Sequence, residues 1–286
     1  MNKVIQKRWT EEEISYLKKN HDILSRKEIA ENLGRTKNSV QIKANKLGLK
    51  KPSPYYYNKQ YFYKIDTPEK AYWLGFMAAD GSINYRPHKR NYEVCIKLKS
   101  TDINHLRKFN KALEGNVEAK IAEPRIAYFD GQTPVETTCC QIRYFSKELA
   151  EGLMKNGVVT NKTYEGITIP ELNKELMWMY ILGFFDGDGF ISSPKDNSPY
   201  GYRIGVCSAD LKVLETFKDF MESQGLKVGS ITTDTLKPMT KVKNYKMDIR
   251  DRESVQKFID NTYKISSVSL DRKYQNYLKL NKWLSQ

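Results

Sequence analysis

Histidine and cysteine are scarce in this chain, and their scarcity narrows its chemistry. Only His21, His88 and His105 are present, and the four cysteines, Cys95, Cys139, Cys140 and Cys207, form no C-x-x-C pair. No zinc ligand set assembles from these residues. The cysteines fall in strand-patterned segments and are expected to be reduced and buried, as in a cytosolic protein; the histidines are expected to be surface or packing residues. Long apolar runs are missing as well. The longest uncharged one, Leu176 to Phe185, is ten residues, where a membrane span needs about twenty. The opening MNKVIQKRWTEEE lacks the apolar core of a secretory signal. Acids, finally, are outnumbered, with 34 Asp and Glu against 48 Lys and Arg and a net charge of +14. So basic a protein points to a polyanionic partner, nucleic acid before an anionic membrane surface.

The 286 residues suffice for one large domain or two to three small ones. Thr10-Glu11-Glu12-Glu13 and Ser25-Arg26-Lys27-Glu28 are both capping boxes, in which a hydroxyl and a carboxylate satisfy N–H groups that a helix start leaves unpaired. Thr36 caps a third helix on which Val40, Ala44 and Leu47 share a face. A small all-α helix-turn-helix domain is expected over residues 1–51, its exposed face carrying Lys37, Asn38, Gln41 and Asn45 behind Arg35. The alternative is a three-helix unit with a solvated face. Charge favours DNA binding, because 15 Lys and Arg against 6 acids in residues 1–64 place +9 of the total there. The segment from Trp9 to Lys51 resembles the Myb/SANT-like helix-turn-helix modules appended to mobile nucleases. Residues 52–67 read as a linker, opened by Pro52-Ser53-Pro54 and followed by YYYNKQYFY, whose six rings either lie along DNA or pack on the next domain.

From residue 68 the pattern runs twice. AYWLGFMAADGSI (Ala71 to Ile83) and MYILGFFDGDGFI (Met179 to Ile191) match at Tyr72/Tyr180, Gly75/Gly183, Asp80/Asp188 and Gly81/Gly189, always 108 residues apart. The offset persists through Ser100/Ser208, Leu106/Leu214 and Phe109/Phe217, and is 107 at Arg143/Arg250. This spacing indicates a duplicated domain, with repeats over residues 68–168 and 169–286. Each apolar helix ends in acid although a helix C-terminus already carries partial negative charge. Gly inside each helix costs about 1 kcal/mol relative to Ala, which makes sense if the two helices touch there. Asp80 and Asp188 would then be neighbours, and a divalent cation, Mg²⁺ or Mn²⁺, would relieve their repulsion. Two related acids on one axis beside a basic surface are equipment for hydrolysing one phosphodiester on each strand of duplex DNA. In Asn91 to Lys99, alternation places Lys97 and Lys99 opposite an apolar face, and Arg143 and Arg250 also face outward; Arg203, Lys241 and Lys243 extend the basic surface.

AYWLGFMAADG and YILGFFDGDG resemble the paired motifs of the LAGLIDADG homing endonucleases in their single-chain form. The resemblance implies an α+β fold of two αββαββα repeats with pseudo-two-fold symmetry. It also implies metal binding by Asp80 and Asp188, with Gly81 and Gly189 contributing a backbone or adjoining carbonyl. Ser100/Ser208 and Arg143/Arg250 would complete the catalytic set, with Lys97 and Lys162 as alternatives. The earlier acidic position is Ala78 in one copy and Asp186 in the other, and is usually not the metal ligand. Further implications are a monomer, a long double-stranded target, short 3′ overhangs and a mobile-element origin in a bacterial, phage-infected or organellar setting. The termini lack protein-splicing residues, so an intein is not expected. The competing functions are an intron RNA maturase and a DNA-binding regulator on a nuclease scaffold.

Overall fold

The computed structural model describes residues 8–49, 53–128, 133–192, 201–233 and 243–286; Lys241 lies outside them. The chain divides into two compact units, Met1–Tyr55 and Tyr56–Gln286.

The first unit contains α1 (Glu11–Asn20), α2 (Arg26–Asn32) and α3 (Lys37–Lys46). Both capping boxes form, with Thr10 and Ser25 as N-caps. Leu17, Ile29, Ala30, Val40 and Ala44 make a small core flanked by Trp9 and Leu47.

The second unit begins with rings of the aromatic segment packed on the first repeat. Tyr61 and Phe62 are buried, and the Tyr57 ring lies 4.8 Å from that of Tyr144. Tyr56 and Tyr63 stay exposed. Packing therefore accounts for three of the six rings, including Phe62, whose carbonyl accepts from Asn156 Nδ2 at 2.7 Å.

The first repeat runs α4 (Pro68–Ala79), β1 (Gly81–Arg86), β2 (Asn91–Lys99), α5 (Ile103–Ala112), β3 (Lys120–Ile121), β4 (Arg125–Tyr128), β5 (Pro134–Thr137), β6 (Cys139–Phe145), α6 (Lys147–Lys155) and the short α7 (Lys162–Glu165). The second runs α8 (Lys174–Asp188), β7 (Gly189–Ser192), β8 (Arg203–Ser208), α9 (Leu211–Ser223), β9 (Thr232–Thr233), β10 (Tyr245–Ile249), α10 (Arg252–Asn261) and α11 (Asp271–Leu284). The two main sheets share one strand order, β1-β2-β6-β3 and β7-β8-β10-β9, and β4 and β5 form a separate ribbon in the first copy. The fold is the expected duplicated α+β arrangement.

Helices α4 and α8 cross at the glycines. A Cβ on Gly75 would sit 2.0 Å from the Tyr180 carbonyl oxygen, and one on Gly183 would sit 1.9 Å from that of Tyr72. No side chain fits there. One core surrounds the crossing, built on Trp73, Phe76, Trp178, Phe184 and Phe185 and continued by the inner faces of both sheets. His105 is buried in it, and burial pushes its imidazole down to about 3, so it stays neutral as a packing residue. Cys95 and Cys140 are buried and all four cysteines are free.

Candidate active site

Both motif helices end at the same place. A Cβ on Gly187 would meet the Ala79 Cβ at 2.4 Å and the Asp80 carboxylate at 3.4 Å. The two helix ends touch, which sets Asp80, the C-cap of α4, beside Asp188, the last residue of α8. Burial first, and then the charge of Asp188, pushes the Asp80 carboxyl up to about 6. Asp188 is the more solvent-open of the two, and burial also raises its carboxyl.

The helix C-termini have cations of their own. Lys162 Nζ donates to the carbonyls of Met77 (3.1 Å), Ala78 (2.6 Å) and Ala79 at the end of α4. Lys273 Nζ does the same at the end of α8, donating to Gly189 (2.6 Å), Gly187 (3.4 Å) and Phe185. Each ammonium neutralises the negative end of one helix, so the opposition between acid and helix dipole is relieved before any metal arrives. Burial pushes both amines down to about 8, while Asp188 and Asp80 hold Lys162 up, and Asp186 first, then Asp80 and Asp188, hold Lys273 up. Sequence offered Lys162 only as an alternative and missed Lys273. The two are 111 residues apart and sit on loops or helix starts without apolar periodicity.

Asp186 is not part of this solvent-facing group. It is wholly buried and accepts from Tyr72 Oη (2.6 Å), Tyr263 Oη (2.5 Å) and the Leu270 backbone N–H (2.6 Å). Burial raises its carboxyl, and the three donors oppose that.

The remaining expected site residues lie farther along the sheets. Gly81 pairs with Ile96 while Gly189 pairs with Val206, so the strand offset is 206 − 96 = 110, not the 108 of the helices. The positions alongside Asp80 and Asp188, one residue beyond those pairs, are thus Lys97 and Cys207, which face Gln141 and Lys246 on the third strands. Ser100 and Ser208 are not equivalent. Ser100 lies in a 3-10 turn, whereas Ser208 ends β8, buried, its Oγ accepting from Asp210 N at 3.0 Å. Arg143 pairs across from Cys95 and donates to Gln141 Oε1 at 2.7 Å. Arg250 follows β10 at the sheet end away from Asp188 and forks onto Asp248 at 3.0 and 2.9 Å. These four lie away from the helix ends, where Lys162 and Lys273 are found instead, because hairpin register rather than sequence offset sets the level of each strand.

Three further placements refine the expectations. Gly189's carbonyl serves Lys273, and Gly81 is required by packing, since a Cβ would lie 2.7 Å from the Met77 carbonyl oxygen. Arg35 does not face outward: its side chain is 6% exposed, forks onto Glu13 and stacks 4.4 Å over the Trp9 ring. Hydrogen bonding to Glu13 raises its pKa further, so Arg35 holds the first unit together. Lys37, Asn38, Gln41 and Asn45 do line the exposed face of α3, where Gln41 Nε2 donates to Asn45 Oδ1 at 2.9 Å. Lys97, Lys99, Arg203 and Lys243 are exposed, Arg203 within 3.5 Å of Asp248.

Residues 175–262 match the family model of the LAGLIDADG-like domain. Over those residues the second repeat is similar to a LAGLIDADG-like domain. The first repeat lies outside that match but shares its strand order and, apart from the β4–β5 ribbon, its element order. No curated protein sequence matches the chain. Among solved structures, the meganuclease I-SmaMI bound to uncleavable DNA is 12% identical over 77% of this chain and 89% of its own, with a TM-score of 0.46. The LAGLIDADG homing endonuclease I-GzeII in complex with its DNA target is 14% identical over 77% and 90%, TM-score 0.46. The homing endonuclease I-WcaI bound to its recognition sequence is 12% identical over 84% and 93%, TM-score 0.45.

The donor set fits a hard divalent ion. Two carboxylates meet where burial disfavours the charge of both and Asp188 repels that of Asp80, and Mg²⁺ commonly takes one or two carboxylates and completes its shell with water and phosphate oxygens. Among the described residues, no cluster of three or more His, Cys, Asp or Glu competes as a metal site.

Proposed function

We propose that this protein is a site-specific endonuclease acting on double-stranded DNA with a divalent metal, Mg²⁺ or Mn²⁺, and cutting each strand once to leave short 3′ overhangs. The observation that carries this reading is the pairing of Asp80 and Asp188 at touching helix ends, with one buried lysine behind each. One chain supplies both acids, so a monomer suffices.

In hydrolysis, a water oxygen joins phosphorus, the bond from phosphorus to one deoxyribose oxygen breaks, and a proton passes to that leaving oxygen. Asp80 and Asp188 would hold the ion, whose charge stabilises the extra negative charge on phosphorus. Lys162 and Lys273 fix the two helix ends, and amines near pKa 8 keep a positive charge at neutral pH close to the developing anion. The sheets offer Lys97, Lys99, Arg143, Arg203, Arg250 and Lys243 to phosphates. The α3 face of the first unit, with Lys37, Asn38, Gln41 and Asn45, adds contacts that lengthen the target.

The test is cleavage of a randomised duplex library by the purified full chain with Mg²⁺ or EDTA, followed by sequencing of the ends. Metal-dependent breaks at one sequence are expected, lost in Asp80→Asn and Asp188→Asn while DNA affinity is kept. Salt-sensitive binding without breaks would overturn the nuclease reading and move the weight to a regulator or to an intron RNA maturase.

A further inference from the structure

The two helix-end lysines are held by unequal devices. Helix α11, which carries Lys273 in its first turn, starts at Leu270, a residue with no side chain able to cap it. Its buried N–H is satisfied from outside the helix: Leu270 N donates to Asp186 Oδ2 at 2.6 Å, while Leu270 O accepts from Lys273 N at 3.0 Å. Asp186 thus serves as a remote N-cap, and its negative charge also suits the positive end of a fourteen-residue helix. Tyr72 Oη from α4 and Tyr263 Oη from beyond α10 lock the carboxylate itself. The same turn is tied to the first repeat by Arg272 Nε on Asp102 (2.8 Å) and by Lys108 Nζ on Asp271 (2.5 Å) and the Ser269 carbonyl (2.9 Å).

The first copy lacks this arrangement. Ala78 occupies the position of Asp186, since 186 − 108 = 78. Tyr180, the counterpart of Tyr72, is buried with its hydroxyl finding no hydrogen-bond partner among the described residues. Lys162 stands on α7, a four-residue helix whose N-cap, Asn161, is left-handed (φ 51°) and makes no side-chain cap bond. Its amine meets the helix end, and the backbone that carries it is tied only after α7, where Ile167 N donates to Asp210 Oδ2 at 2.7 Å, not at the helix start as in α11.

We propose that Asp186 is a positioning residue for Lys273, and that the resulting inequality of the two half-sites makes the enzyme cut one DNA strand before the other. The inference rests on the nuclease reading for its second half only. Removing the cap leaves the Leu270 N–H unpaired in the core, so the first turn of α11 loosens and Lys273 leaves its carbonyls. A displacement of about 1 Å near reacting atoms costs on the order of a hundredfold in rate. One strand bears that loss.

Two measurements on the full chain test this. In the first, without metal or DNA, a limiting amine-acylating reagent is followed by mass spectrometry, and the reactivities of Lys162 and Lys273 are compared. Lys273 is expected to react about tenfold more slowly than Lys162 in the native chain, and about as fast in Asp186→Ala, which gives the second copy the residue of the first. In the second, a duplex with each strand labelled separately is cleaved. The native protein is expected to accumulate a nicked intermediate in one defined strand, and Asp186→Ala to slow that strand selectively until the order is lost or reversed.

Unchanged Lys273 reactivity in the variant overturns the proposal. Equal slowing of both strands overturns it as well, because a merely structural role would produce that result. Simultaneous cutting by the native protein refutes the strand order. If the native protein cuts nothing, the nuclease reading fails, while the acylation ratio still decides whether Asp186 positions Lys273. Should Asp186→Ala not fold, Leu270→Pro removes the capped N–H at a backbone angle proline accepts (φ −75°) and leaves Asp186 with its tyrosines; the same two ratios are then read.

Discussion

Tyr72 and Tyr180 are related by the repeat, both are fully buried, and their hydroxyls have opposite circumstances, which makes removal of each a matched experiment. Tyr72 Oη donates to a buried carboxylate at 2.6 Å. Tyr72→Phe takes one of three donors from Asp186, and loss of a hydrogen bond to a charged group costs about 1.5–3 kcal/mol. Tyr180 Oη has no partner among the described residues, and removing a hydroxyl already deprived of water and of a partner is neutral or stabilises by about 1 kcal/mol. The two variants should therefore differ by about 2–4 kcal/mol although the substitution is identical. For a unit of this size each kcal/mol moves the melting temperature by about 2–4 °C. Tyr72→Phe should melt lower by roughly 5 °C and Tyr180→Phe at or slightly above the parent, in calorimetry of the metal-free chain near neutral pH. Equal losses, or a larger one for Tyr180→Phe, would refute the assignment of Asp186 as the acceptor that distinguishes the two copies.

Gly75→Ala or Gly183→Ala places a methyl about 2 Å from a carbonyl oxygen of the facing helix. Either should destabilise the large unit by several kcal/mol despite Ala's better helix propensity, on the order of 3 kcal/mol or more in denaturant titration; a neutral variant would mean that the helices do not meet there. Because the folded Asp80 carboxyl is raised to about 6, above its ordinary value near 3.8, the folded protein holds that proton more tightly than the unfolded chain, and stability falls as pH rises through that window. A divalent ion binds the ionised form, so Mg²⁺ should raise the melting temperature more at pH 8 than at pH 5, and equal shifts at both pH values would contradict its binding at Asp80 and Asp188. Arg35→Ala removes the cation paired with the nearly buried Glu13, a change that costs about 3 kcal/mol in comparable sites, and should unfold the small unit, while Lys37→Ala should lower DNA affinity and its salt dependence without unfolding it. Circular dichroism of residues 8–49 and salt-titrated DNA binding separate these outcomes; a folded Arg35→Ala unit would show that the buried pair is dispensable.

The duplication was legible because it is written in identities at one fixed spacing. Gly75/Gly183 and Asp80/Asp188 sit on continuous apolar helices, where position along the chain translates directly into position on the helix, so both the close crossing and the neighbouring acids could be argued beforehand. The helix starts of the first unit were equally readable, since a capping box joins residues three apart. The offset failed in the sheets. A hairpin fixes which residues face each other through its own length, so Ser100 and Ser208 drifted out of equivalence, and Arg250 fell at the wrong end of β10.

What the chain decided locally is therefore two αββαββα copies, their apolar crossing and a pair of acids at its end. What only the tertiary structure decided is how those acids are tolerated. Lys162 reaches back more than eighty residues to cap α4, and Lys273 as far to cap α8. Asp186, the motif's earlier acid, turns inward to cap a helix that starts more than eighty residues later, and Arg35 is drawn to Glu13 rather than to solvent. Such bonds form because burial leaves a charge or an N–H no alternative partner, and nothing in the neighbouring sequence of either residue records which distant group will supply it.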